Sequence, residues 1–244
     1  FPSLLSVLPN WRINYEGLSK IAFLQRYFRS INITHSYRST YNVSAYTNNL
    51  LYNPDEADGL SYVMDAQNNF VPRFDVGSVS VNEQLSPLLG IDITWQTNLT
   101  TRFDWKKSRT ASLSLANNQV MEMTTGELSI GAGYRFDNVQ ITITPPGGTQ
   151  KNLKSDLNLK ADFSIRDNKT ILRKLVEDRN DITAGQRAIA IKLSADYMLG
   201  PNFNLRFFYD RMINRPYVSS SFDTYNTNIG FSLTFSLSPQ AAQR

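Results

Sequence analysis

A strict alternation of apolar and polar residues runs through most of this chain, and it confines the fold to β structure. In 91–106 the odd positions read Ile91, Ile93, Trp95, Thr97, Leu99, Thr101, Phe103 and Trp105. The even positions read Asp92, Thr94, Gln96, Asn98, Thr100, Arg102, Asp104 and Lys106. Only a strand sends alternate residues to opposite faces, so the pattern predicts one long strand whose two faces meet different surroundings. The same pattern sets Leu157, Leu159, Ala161, Phe163 and Ile165 against Asp156, Asn158, Lys160, Asp162, Ser164 and Arg166. It continues with Ile189, Ile191, Leu193, Ala195 and Tyr197 against Lys192 and Asp196. In 203–210, Phe203, Leu205, Phe207 and Tyr209 alternate with Arg206 and Asp210. Towards the C-terminus, Ile229, Phe231, Leu233, Phe235 and Leu237 alternate with Asn228, Gly230, Ser232 and Thr234. Near the N-terminus, 31–46 places Asn32, Thr34, Ser36 and Arg38 on the polar side, and Leu128, Ile130, Ala132, Tyr134 and Phe136 form another apolar row.

With weaker strands at 11–17, 74–85 and 110–123, the reading is all-β, with about ten strands in a single unit spanning 1–244. Segments 60–66 and 139–144 are further candidates. Helix is confined to 20–28 and, as an alternative to strand extension, 171–178. Strand length separates architectures. Soluble strands average about 5–6 residues, and a tilted membrane strand needs about 9–11. Alternation here runs 11 to 16 residues. The expectation is an antiparallel transmembrane β-barrel, in which only every second residue faces lipid. Connections should alternate long and short: 211–223 long, 200–202 short, 167–186 long. At 137–153 that alternation fails unless an extra hairpin turns at Pro145–Gly148.

Composition excludes several chemistries. There is no Cys and one His, His35, so thiolate zinc sites, cysteine nucleophiles and sites needing two imidazoles are ruled out. A net charge of +4 is too mild for a nucleic-acid surface. The longest apolar runs, 21–24 and 188–191, are four residues, and a membrane-spanning helix needs about 20. The chain opens at Phe1 without a basic stretch or an apolar h-region, and is read as a mature product or a piece of a longer chain.

The two faces give the candidate functional residues. Ile91, Ile93, Leu99, Phe103, Leu157, Leu159, Phe163, Ile189, Ile191, Leu193, Ile229, Phe231 and Leu233 are expected to face lipid. Asn32, Thr34, Ser36, Arg38, Asp92, Thr94, Arg102, Asp104, Asn158, Lys160, Asp162, Arg166, Lys192, Asp196, Arg206 and Asp210 are expected to face a wet lumen. Their charges are mixed, unlike a single-sign ring that selects ions. A solvated face of a soluble sheet is the competing reading. On one long strand, Trp95 and Trp105 would stand about 25 Å apart along the membrane normal, as two interfacial girdles. His35 falls in the apolar row without a nucleophile elbow, and Gly131 and Gly133 sit within a strand and not in a phosphate loop. No catalytic, metal or cofactor site is expected. In the last strand, Asn228, Gly230, Leu233 and Phe235 follow the order polar, glycine, apolar, aromatic of an outer-membrane assembly signal, with 238–244 as a short periplasmic tail.

Taken in order, LPNWRINYEGLSK (8–20), THSYRSTYNVSAY (34–46), SPLLGIDITW (86–95), KKSRTASLSLANNQ (106–119), DLNLKADFSIRDNKTILRK (156–174) and IKLSADYMLG (191–200) resemble the C-terminal part of the SprA/Sov family. These are the giant outer-membrane translocons of the type 9 secretion system of Bacteroidetes, required also for gliding motility in motile members. The resemblance spans essentially the whole chain and rests on the series of segments, not on one motif. Family members are many times longer, so it implies a segment of a very large barrel in the bacterial outer membrane. It further implies the wall of a pore exporting folded proteins, with no enzymatic step. The implied partners are the remaining barrel segments, a plug protein, secreted cargo and a PorV-like cargo receptor. The alternatives are a small self-closed barrel (a porin or a barrel enzyme) and a soluble β-rich binding protein.

Overall fold

Long alternating runs rich in β-branched and aromatic residues suit a pleated surface. In the computed structural model of the chain they form one antiparallel sheet of nine strands in sequence order. The structure describes residues 10–55, 59–143, 150–200, 202–218 and 221–235. β1 (Trp11–Tyr15) leads through a 3-10 turn (Gly17–Lys20) and a single helical turn, α1 (Ala22–Gln25), into β2 (Phe28–Asn48). There follow β3 (Phe74–Trp95), β4 (Leu99–Ser114), β5 (Gln119–Ile143), β6 (Lys151–Lys174), β7 (Arg179–Gly200), β8 (Phe203–Pro216) and β9 (Thr224–Phe235). The two short helical pieces are all that forms in the 20–28 candidate, and 171–174 extends a strand into the turn at 175–178.

The long strand expected over 91–106 is a hairpin. β3 ends at Trp95 and β4 begins at Leu99. The register pairs Ile93 with Thr101 and Thr94 with Thr100, so odd-numbered residues of both strands share a face. The alternation therefore passes through the three-residue turn unbroken, and period alone cannot detect it. The two tryptophans then stand on neighbouring strands. Trp95 lies opposite the level of Leu99, six residues from Trp105, which is about 20 Å along the strand. That distance is too short for two opposite girdles. Segment 110–123 is likewise the tip of the β4–β5 hairpin, turning at 115–118.

Other expectations change in the same direction, towards fewer and longer strands. Candidate 139–144 is not an extra hairpin. β5 continues through a bulge between Phe136 and Val139 and pairs with β6 as far as Ile143. The proposed Pro145–Gly148 turn and the 238–244 tail lie outside the described residues. In 60–66 only one bridge forms, Met64 to Phe70. The long 167–186 connection is mostly strand, because β6 and β7 extend to Lys174 and Arg179.

The sheet is not closed. Each strand pairs with its sequence neighbours, and among the described residues β1 pairs only with β2 and β9 only with β8. The described residues also form no core: four apolar side chains are buried among them, Ile31, Tyr37, Val71 and Tyr197. The chain exposes 17898 Å², whereas a compact monomer of its mass, 27.7 kDa, exposes about 11,000 Å². A single sheet has two faces to cover, and none of the described residues outside it covers either.

Candidate functional site: the two faces of the sheet

Cross-strand partners share a face, so the register assigns every strand residue to one of two surfaces. One row crosses the sheet from β2 to β9 through Asn32, Asp92, Arg102, Gly131, Asp162, Lys192, Asp210 and Asn228. The next row on that face carries Thr34 and Asp104. The row on the other side carries Thr94, Lys160 and Gly230, and Asn158, Asp196 and Arg206 line up beyond it. Ser36, Arg38 and Arg166 complete the set on the same surface. All the residues expected to face a lumen thus share one face, and all those expected to face lipid share the other.

On the polar face, charges lie beside opposite charges. Arg102 Nε is 2.7 Å from Asp104 Oδ2 and 3.3 Å from Asp92 Oδ1. Arg206 Nε is 3.6 Å from Asp196 Oδ1. Lys106 and Arg166 flank Glu127 at 4.0 Å each. The cations of these pairs are largely exposed, so the pairs contribute little stability, but they leave the surface nearly neutral. Between them Gly131 and Gly133 bare the floor of an open depression of about 440 Å³ rimmed by Asp92, Arg102, Lys160 and Asp162. Gly230 is different. It lies under the Phe208 ring, where an added Cβ would meet Cζ at 2.7 Å, so an aromatic ring covers the bare backbone.

The opposite face carries the apolar band. On β6 it begins at Leu157 and runs through Ile165, and the first charge on that face is Asp167. Ten residues separate Leu157 from Asp167, about 33 Å of strand, or about 25 Å along a normal for strands tilted about 40°. The side chains stand open: Phe231 is 78% exposed and Ile229 61%. The margin where β9 ends is aromatic. Phe28 meets Trp95 at a tilt with 4.5 Å between ring centres, Tyr134 meets Phe136 edge-on at 4.5 Å, and Phe203 meets Phe235 at a tilt at 4.6 Å.

The far margin of the same face is ionic, and these residues were not singled out from the sequence. Glu122, buried between strands, accepts from Arg109 Nε at 2.6 Å and from Arg173 Nη2 at 2.6 Å. Arg109 Nη1 also reaches Glu83 Oε2 at 3.5 Å, and the Tyr37 hydroxyl donates to Glu83 Oε1 at 3.1 Å. Arg187 Nε is 3.0 Å from Asp167 Oδ1, and Tyr217, in the β8–β9 connection, donates its hydroxyl to Asp167. That hydrogen bond to Asp167 raises the Tyr217 pKa above its ordinary value. Lys107, Lys169, Arg211 and Arg215 complete the belt, which steps towards the aromatic margin on β8, where Arg211 is its first member. The available signal was the loss of apolar residues at alternate positions of that row beyond Trp105, Leu128 and Ile165.

His35 lies on the apolar face with Nδ1 2.6 Å from the Leu88 carbonyl oxygen, which requires that nitrogen to carry the proton. The Trp11 ring is its aromatic neighbour at 6.3 Å. Among the described residues no group of three or more His, Asp or Glu could hold a metal ion. No protein-family model matches the chain, and no curated protein matches it.

Proposed function

We infer that this chain is an arc of the wall of a larger outer-membrane β-barrel that conducts proteins, as its resemblance to the SprA/Sov translocons implies. The observation that carries this reading is the open nine-stranded sheet without a core. One face bears an apolar band of the height a bacterial outer membrane requires, about 25 Å, edged by aromatic rings at one margin and by ion pairs at the other. The other bears a nearly neutral, hydrated mosaic. The two unpaired edges favour an arc over a complete barrel, because each unsatisfied backbone group in lipid costs several kcal/mol; further strands must continue the sheet. A soluble β-rich binding protein would have to bury the apolar face, and none of the described residues does so. A small self-closed barrel would require an N-terminal strand to pair with β9.

In this role the polar face does physical rather than covalent work. It offers a passing chain neither an apolar patch nor a strong field of one sign, so cargo has little to adhere to. The plug, the cargo receptor and the remaining barrel segments are the partners that the resemblance supplies.

Cysteine scanning of the whole protein in membranes tests the assignment. Cysteines at Leu159, Phe163 and Leu193 should take a lipid-phase label, and those at Asn158, Lys160 and Lys192 a water-soluble one. The reverse pattern would invert the faces. Release of the unmodified protein by carbonate extraction would remove the membrane reading altogether.

A further inference from the structure

The belt at the far margin has more cations than carboxylates. On the strands of the apolar face it holds seven, Lys107, Arg109, Lys169, Arg173, Arg187, Arg211 and Arg215, against Glu83, Glu122 and Asp167. The three carboxylates are already engaged, by Arg109, Arg173 and Arg187. Lys107 and Lys169 have no ion-pair or hydrogen-bond partner for their ammonium groups among the described residues. They stand on β4 and β6, either side of β5. Between them β5 presents Thr124 and Gly126, since Lys107 pairs with Gly126 and Thr124 with Lys169. A Cβ added to Gly126 would meet nothing within 4 Å, so the strand between the two lysines is open above. Asp167 borders this notch, but its carboxylate is taken by Arg187 and Tyr217 on the side away from β4.

We propose that the notch formed by Lys107, Thr124, Gly126 and Lys169 receives the phosphate of a lipid headgroup. The proposal rests on the membrane reading above. On that reading the notch lies one row beyond Trp105, Leu128 and Ile165, where acyl chains end and headgroups begin. Two uncompensated ammonium groups complement a phosphomonoester, and Lys serves as a point-charge phosphate ligand. The face decides between sources of phosphate. A soluble phosphorylated ligand would be expected on the polar face, whereas this notch continues the surface that would hold the acyl chains. The belt's ion pairs hold Arg109, Arg173 and Arg187 on this face around it, so the contact at this level is not uniformly apolar.

The test uses the whole protein in nanodiscs of phosphatidylcholine doped with phosphatidic acid or with diacylglycerol, reading co-purified lipid by mass spectrometry. Enrichment of phosphatidic acid over diacylglycerol is expected, falling about fivefold for each lysine removed in Lys107→Gln and Lys169→Gln. Gly126→Leu keeps both charges but fills the notch, and should lose the enrichment as well. Lys106→Gln, on the opposite face, should retain it. Equal recovery of the two lipids by a protein that still inserts overturns the proposal and leaves the membrane reading intact. Displacement of phosphatidic acid by equimolar inorganic phosphate, or retention of full enrichment by Gly126→Leu, also overturns it. A protein that fails to enter nanodiscs at all removes both readings.

Discussion

Leu159 sits within the apolar band on β6, between Leu157 and Ala161 on the same face, and is 37% exposed. Replacing it with Arg in a bilayer should cost about 2–4 kcal/mol if the position is near the midplane, measured by denaturant titration in vesicles; no cost would place that face in water. Glu122 is the opposite case. It is 9% exposed and holds two guanidinium groups. Glu122→Ala leaves Arg109 and Arg173 facing each other, and because both arginines are partly exposed the loss should be about 1–2 kcal/mol. Glu122→Gln, which keeps the shape, should lose less in the same titration. Asp65, in the β2–β3 connection, accepts from the backbone N–H groups of Asn69 and Gln67 at 2.9 Å each. The Asn69 bond is the larger cause of a pKa held below the usual carboxylate range. Its stabilising effect on that turn is therefore present above the ordinary carboxylate pKa and is lost as pH falls through the depressed folded value. Protection of the Gln67 and Asn69 amides, taken relative to the intrinsic exchange rate at each pH, should fall on acidification across that window, and protection unchanged by pH would sever Asp65 from the turn.

β9 is the element on which assembly is expected to depend. It is an edge strand, and its N–H and C=O groups on one side have no partner among the described residues. A nascent barrel must present such an edge to the machinery that completes it. Within it, Gly230 accommodates the Phe208 ring and Phe235 packs on Phe203. Gly230→Val forces that ring aside, and Phe235→Ala removes half of an aromatic pair at the aromatic margin of the sheet. The double variant should lower the yield of inserted protein while each inserted molecule transports normally. Normal insertion with lost secretion would assign Asn228, Gly230, Leu233 and Phe235 to transport instead. The other elements illustrate why alternation misleads about length and number. Hairpins that pair odd with odd residues carry the pattern through their turns, as at 96–98, and bulges such as Phe136–Val139 shift it without ending the strand.

At the scale of the molecule, the open sheet predicts what will not cross-link. A cysteine pair at Asn32 and Asn228 shares one row of the sheet but sits seven strands apart, on β2 and β9. It should form no disulfide within one chain, whereas Asp210 and Asn228, directly paired, should be joined readily by a short bis-thiol reagent. Efficient intramolecular joining of 32 to 228 would mean that the chain closes on itself as a small barrel. Strand partners for β1 and β9 should instead be found on protein outside 1–244, by photo-cross-linking from positions 13 and 229.

The alternating residues by themselves determined the secondary structure class and the division of side chains between two faces, because a strand's period of two is written locally and survives any tertiary arrangement. Long-range pairing decided the rest. It set nine strands in place of about ten, turned 91–106 into a hairpin and left the sheet open. It also assembled the belt of Glu83, Arg109, Glu122, Asp167, Arg173 and Arg187. Those residues come from strands β3 to β7, up to 104 positions apart in the sequence, and only the hydrogen-bond register of the sheet fixes which carboxylate meets which cation.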